Sequence, residues 1–144
     1  MAEKFSQIIK AAYTEGEELM NYLTHGFGLI ISSFGAGVMI ALAAVYGNVW
    51  QIVSASIFGF CLILLYAAST AYHAAKSDGA KRALKIFDHI SIYFLIAGSY
   101  TPYMLVNLRG ALGWTIFGII WGLALLGTIF KLFYIGRFKI FSVM

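Results

Sequence analysis

Charge is missing from this sequence over its longest stretch. Between Glu18 and Lys76 lie 57 residues, 19 to 75, without one Asp, Glu, Lys or Arg. As a helix that run would be roughly 85 Å long at about 1.5 Å per residue. A bilayer core of ~30 Å takes about 20 residues, so the run reads as two membrane crossings and a turn. It excludes a soluble enzyme, a disordered chain and a nucleic-acid-binding domain. Cysteine is confined to Cys61, which excludes a disulfide framework and leaves the redox compartment unreadable. Gly/Ser-rich linkers, repeats and low-complexity tracts are absent, so the chain reads as a single membrane domain. A secretory signal peptide is also missing. Residues 1–24 mix Lys4 and Lys10 with Glu3, Glu15, Glu17 and Glu18, and no small-residue cleavage site precedes the first apolar run.

What is present is apolar. Hydrophobic residues make up 61% of the chain and charged ones 11%, against about 25% charged in soluble domains. The fold class predicted is all-α, a polytopic transmembrane bundle with spans at about 26–46, 50–73, 87–108 and 111–130. Residues 1–13 carry a weak apolar stripe (Phe5, Ile8, Ile9, Ala12) suited to the membrane surface. Thr14 and Glu17 form a capping-box pattern that starts a helix at about residue 15. Gly47-Asn48 marks a turn, and Trp50 stands where an interfacial aromatic belongs. The third span holds the only proline, Pro102. Small residues (Gly35 and Gly37, Ala67 and Ala68, Gly118 and Gly122) suit close helix packing.

The few charges set orientation. Ten Lys and Arg stand against six Asp and Glu. Lys76, Lys81, Arg82 and Lys85 lie between spans two and three, and Lys131, Arg137 and Lys139 near the end. The first connection has no Lys or Arg, and the third has Arg109 alone. Basic residues favour the cytoplasmic side, which predicts a multi-pass protein with a cytoplasmic amino terminus.

Polar side chains inside spans are expensive and mark function by default. Here they gather at one depth: Glu17, Glu18, Asn21 and His25 at the start of span one; Ser69, Tyr72 and His73 at the end of span two; Asp88, His89 and Ser91 at the start of span three. Glu18, Asn21 and His25 are spaced i, i+3, i+7 and share a helix face, as do Ser69 and His73 at i, i+4. Asp88 and His89 point about 100° apart, so if Asp88 faces the bundle His89 faces headgroups or another helix. Imidazoles with carboxylates at a membrane interface suit metal binding or acid–base work, with Asp88 as the carboxylate that holds and deprotonates water. Plainer readings stand beside this one. His73 alone could be an interfacial imidazole, Asp88 could complement a helix dipole, and His25 could bond to a carbonyl where spans cross. Glu17 and Glu18 divide labour, one in the capping box and one toward the bundle.

Three segments then resemble motifs of the bacterial hemolysin III family, which is related to the progestin and adiponectin receptors and more distantly to alkaline ceramidases. They are Glu17-Glu18-Leu-Met-Asn21-x-x-Thr24-His25-Gly26-x-Gly28, Ser69-Thr-Ala-Tyr72-His73, and Phe87-Asp88-His89-x-Ser91-Ile92 running on to Gly98-Ser99-Tyr100-Thr101-Pro102. The resemblance covers the chain from about Tyr13 onward. It implies a seven-helix membrane bundle, of which four spans are present here, with zinc near the cytoplasmic face. By the same resemblance His73 is a zinc ligand, Asp88 holds the water to be activated, and Ser69 is a supporting hydroxyl one turn from His73. The family's His-x-x-x-His is absent, since the histidines are His25, His73 and His89 alone. The final Phe-Ser-Val-Met reads as the start of a fifth helix, so the chain is expected to be an amino-terminal portion that is truncated and holds half a site.

The function so implied is a zinc-dependent hydrolase of a lipid amide or ester in the bacterial inner membrane, with lipids as partners and no nucleic acid. The exposed bundle face calls for further helices or a second copy. The alternatives are a pore-forming, cytolytic protein and a non-catalytic receptor or lipid-binding protein.

Overall fold

The computed structural model describes residues 13–134. The amino-terminal stripe, Arg137, Lys139 and the expected fifth helix lie outside these residues. The chain forms α1 (Glu15–Tyr46), α2 (Val49–Ala74), α3 (Asp78–Pro102), a π-helical turn (Tyr103–Asn107) and α4 (Ala111–Tyr134), and no strand occurs among the described residues. Each of the first three helices starts where a side chain can satisfy its free amides. Thr14 and Glu17 form the expected capping box, with Thr14 N donating to Glu17 Oε2 at 2.7 Å and Glu17 N to Thr14 Oγ1 at 3.3 Å. Asn48 and Gln51 repeat the device at α2, and the Ser77 hydroxyl caps α3.

Three helices are long and apolar enough to cross a membrane: Glu15–Tyr46, Val49–Ala74 and Ala111–Phe133. Their apolar side chains point outward, with Phe27 65%, Phe34 75% and Phe133 78% exposed. In water such surfaces would aggregate; in lipid they are the solvated face. The first helix has 32 residues, about 48 Å of length. It exceeds a ~30 Å core by several turns, so its acidic start projects beyond the hydrocarbon.

The third helix falls short of that apolar standard because Asp78, Lys81, Arg82, Lys85 and Asp88 occupy its first half. It begins nine residues before the span expected at 87–108, because Ser77 caps it and its charged turns continue the apolar part. At its other end Pro102 has no amide to donate. The ladder widens there, Leu108 N donating to Tyr103 O at 2.9 Å in a π-type turn. Gly110, at φ +132°, then turns the chain into α4.

The helices pack in chain order, α1 on α2, α2 on α3 and α3 on α4. Their core is rich in small and hydroxyl-bearing side chains, with Ala36, Ser54, Cys61, Ser69, Ser91, Ala97 and Thr101 buried beside the larger Tyr72, Ile90, Met104 and Leu105. The abundance of small side chains suits a bilayer, where helix backbones gain by close approach. Two close approaches between small residues correct the sequence expectation. A Cβ built on Gly59 would sit 2.7 Å from the Ala36 methyl, and one on Gly98 would sit 2.8 Å from Cys61 Cβ and Sγ. Gly35, Gly37, Gly118 and Gly122 would meet nothing within 4 Å among the described residues. Glycine spacing marks a smooth stripe, but the rotation of each helix decides which stripe meets a neighbour. Far from the charged end, Arg109 lies over the Trp50 ring at 5.0 Å and Trp50 meets Trp114 edge-on at 5.7 Å.

Candidate polar site at the charged end of the bundle

The alternation of α1 to α3 returns the start of α1, the end of α2 and the start of α3 to one end. The capping box consumes Glu17, and Glu18, about 100° further round the helix, turns toward the bundle. The divided labour expected of the two glutamates is thus what the structure shows. Glu18 Oε2 lies 2.6 Å from His73 Nδ1 on α2, and Glu18 Oε1 accepts from Lys81 Nζ on α3, also at 2.6 Å. The three side chains are only 17%, 6% and 15% exposed respectively. Burial disfavours the Glu18 charge, but the bonds from Lys81 and His73 outweigh it and hold the carboxyl below its ordinary value.

Aromatic rings wall this bridge. The His73 ring has Tyr72 at 4.7 Å, Tyr13 edge-on at 5.7 Å and His25 stacked at 5.8 Å with planes 8° apart. Lys81 Nζ stands 5.4 Å over the Tyr72 ring. Two polar atoms here, His25 Nδ1 and Tyr72 Oη, are buried without a hydrogen-bond partner among the described residues. Such groups occur where a water, ion or ligand is received.

The remaining sequence candidates take different places. Ser69 is buried one turn before His73 on α2. Asp88 is half-buried on α3, within Coulombic reach of the Tyr72 hydroxyl. Its carboxylate makes no hydrogen bond or ion pair with His73 among the described residues; its backbone oxygen accepts from Ser91 Oγ at 2.6 Å. His89 lies within Coulombic reach of Lys131 on α4, of its neighbour Asp88 and of Lys85. Asn21 shares the helix with Glu18 and His25, but it lines a shallow cleft with Tyr13, Thr14, Glu17 and Met20 instead of joining His73. The i, i+3, i+7 face is therefore used at its two ends and not in its middle.

Lys81 is the participant that sequence reasoning missed. It reads there as one more orienting cation, and only the tight Ala75–Ser77 connection brings it over α1. The described residues contain no group of three or more His, Cys, Asp or Glu able to hold a metal. Histidine ligates in the plane of its ring, so the face-to-face His25 and His73 rings do not converge on one point. By themselves these residues do not fit a complete zinc sphere, which takes at least three protein ligands.

Comparison with known proteins gives the lineage. The family described as Haemolysin-III related matches residues 13–144. A Hemolysin-3 homolog of Bacillus subtilis (strain 168) is 45% identical over 130 residues, covering 90% of this chain and 61% of the relative. Hemolysin-3 of Bacillus cereus is 43% identical over 122 residues, covering 85% of this chain and 56% of the relative. The monocyte to macrophage differentiation factor of Homo sapiens is 27% identical over 129 residues, covering 86% and 53%. The chain thus spans about three-fifths of the length of the bacterial relatives it matches. No solved structure matches it. A bundle of long lipid-facing helices with this sequence kinship belongs to the haemolysin-III-related family of multi-pass membrane proteins.

Proposed function

We propose that the protein is a membrane hydrolase of a lipid amide or ester, with its site at the charged end of the bundle and zinc as its metal. The observation that carries this reading is the part-buried Glu18–His73–Lys81 bridge, which joins three helices at the charged end of the bundle. Ionic groups partly withdrawn from water cost stability unless they are paired, and such a network is where a site is sought. In this reading His73 supplies one ligand and the others come from outside residues 13–134. When bound, zinc supplies Lewis acidity toward a carbonyl and toward water. Asp88 orients the attacking water and takes its proton. Ser69, one turn from His73, supports the site with its hydroxyl. The basic residues Lys76, Lys81, Arg82 and Lys85 gather at this end, which supports a cytoplasmic face in a bacterial inner membrane. The test is metal content. The full-length protein, purified in detergent, carries about one zinc per chain, and His73→Ala loses it. Stoichiometry that is unchanged in this variant overturns the reading.

The names of the two Bacillus relatives favour a second reading, membrane permeabilisation. A pore requires a polar face along a whole span, whereas the exposed middles of α1 and α4 carry Phe34, Val38, Leu123 and Leu126. Protein in liposomes should therefore conduct no more than empty vesicles, and channel-like steps would favour the second reading.

A further inference from the structure

At the end of the bundle opposite the charged site, α1, α2 and the π-turn border a cleft of about 400 Å³, with Met39, Ser54, Ala55, Phe58, Val106 and Asn107 in its walls. Small-ligand sites run from about 300 to 1,000 Å³. Most of the wall is apolar, but Ser54 is 1% exposed and its hydroxyl has no hydrogen-bond partner among the described residues. Other helix hydroxyls here behave differently. Those of Ser32, Ser56, Thr70, Ser91, Thr101 and Thr128 each donate to a carbonyl one turn back on their own helix. Ser54 makes no such bond, although a buried polar group left unpaired is costly.

A second unanswered group stands at the rim. Arg109, two residues beyond Asn107, lies 5.0 Å over the Trp50 ring. No Asp or Glu occurs from residue 19 to 75 or after Asp88, so this end of the described bundle holds a cation without a countercharge. Helices α2 and α4 also begin here, and the positive ends of their dipoles add to the same field. Along α2, Trp50, Ser54 and Phe58 are four residues apart and share one face, each about 6 Å deeper than the last. Cation, hydroxyl and apolar wall therefore follow one another inward from the rim.

We propose that this cleft binds one anionic phospholipid of the leaflet opposite the charged site: the phosphate pairs with Arg109, an ester carbonyl accepts from Ser54 Oγ, and an acyl chain lies against Phe58 and Val106. A guanidinium matches a phosphate with a fixed fork of donors, and basic pockets between transmembrane helices take anionic head groups. A phospholipid offers phosphate, ester and chain in the order in which the cleft receives them. Inorganic phosphate would answer Arg109 and leave the wall bare, whereas an apolar helix would cover the wall and leave the charge unanswered. The hydrolase reading plays no part in this, since its residues lie at the other end.

The test is lipid selectivity. Full-length protein in a mild non-ionic detergent is titrated with phosphatidylglycerol or phosphatidylcholine, and bound lipid is counted by native mass spectrometry. The native protein retains one phosphatidylglycerol per chain, about 10–100-fold more tightly than phosphatidylcholine, the factor expected of a charged hydrogen bond. Arg109→Gln binds the two lipids alike. Ser54→Ala weakens phosphatidylglycerol about 2–10-fold. Because it removes an unpaired polar group, it keeps its lipid-free thermal midpoint and leaves the test standing if another variant misfolds. Ala55→Leu, which narrows the cleft, weakens both lipids. Inorganic phosphate at millimolar concentration does not displace the bound lipid. Equal binding of the two lipids by native protein, a preference that survives in Arg109→Gln, or displacement by inorganic phosphate overturns the proposal. Lipid binding unchanged in both Ser54→Ala and Ala55→Leu also overturns it, and gives the cleft to a further helix of the full-length protein.

Discussion

The imidazole of His25 lies parallel to that of His73, 5.8 Å between centroids and 8° between planes, and its Nδ1 is buried without a partner. One ring is tied by a carboxylate and the other carries an unused nitrogen at the same depth. An unsatisfied buried polar atom costs about 1–3 kcal/mol, and an apolar replacement of similar shape is often neutral or stabilising.

His25→Phe tests whether that nitrogen is idle. The expected outcome is a thermal midpoint in detergent equal to or above that of native protein, because the ring stack is kept and the orphan removed. A loss of more than about 2 kcal/mol would show instead that the nitrogen has a strong partner in the folded protein. Full stability with reduced lipid hydrolysis would assign the nitrogen to substrate or water.

The close approach of α1 and α2 gives a packing prediction. Gly59→Ala drives a methyl to 2.7 Å from Ala36 Cβ, and overpacking of this kind costs about 1–3 kcal/mol. Pairing it with Ala36→Gly moves the methyl to the other helix and should recover most of the loss in a double-mutant cycle. Gly35→Ala, where nothing lies within 4 Å, should gain up to about 1 kcal/mol from helix propensity. Equal effects at residues 35 and 59 would contradict the observed rotation of the helices.

The first turn of α1 should be sensitive to acid. Bonds from the Thr14 backbone and side chain hold the Glu17 carboxyl below its ordinary value of 4.5. A carboxyl whose folded value is depressed stabilises the fold above its unfolded value, and that support is lost as pH falls through the folded value. Amide exchange in the first turn, measured below about pH 4.5 and corrected for intrinsic rates, should accelerate more in native protein than in Glu17→Gln. Parallel curves would show that the capping box does not govern this end.

Asp88→Asn separates chemistry from architecture. If the carboxylate works on water, lipid hydrolysis should fall about 10²–10⁴-fold, while zinc content and thermal midpoint stay native. Asp88 has no side-chain bond to His73 to lose, so little structural penalty is expected. Unfolding on this change would make Asp88 architectural and favour a non-catalytic receptor or lipid-binding protein.

Much of this molecule could be read from the order of its residues. The uncharged run from 19 to 75, the Thr14–Glu17 box and the Gly47-Asn48 turn are local features, and local hydrogen bonding and the bilayer's demand for satisfied backbones turn them directly into helices. The depth of the polar residues was legible as well, because two antiparallel crossings return Glu18 and His73 to one surface. Rotation about each helix axis was not legible, since sequence spacing fixes which residues share a face but not which neighbour that face meets. Packing alone selected Gly59 and Gly98 over Gly35 and Gly118, left Asn21 on an outer cleft, and brought His89 within Coulombic reach of Lys131 on α4. The choice of Lys81 as partner to Glu18 also came from tertiary structure. Residues 63 positions apart meet at 2.6 Å only when three helices pack at one angle, and no local signal encodes that meeting.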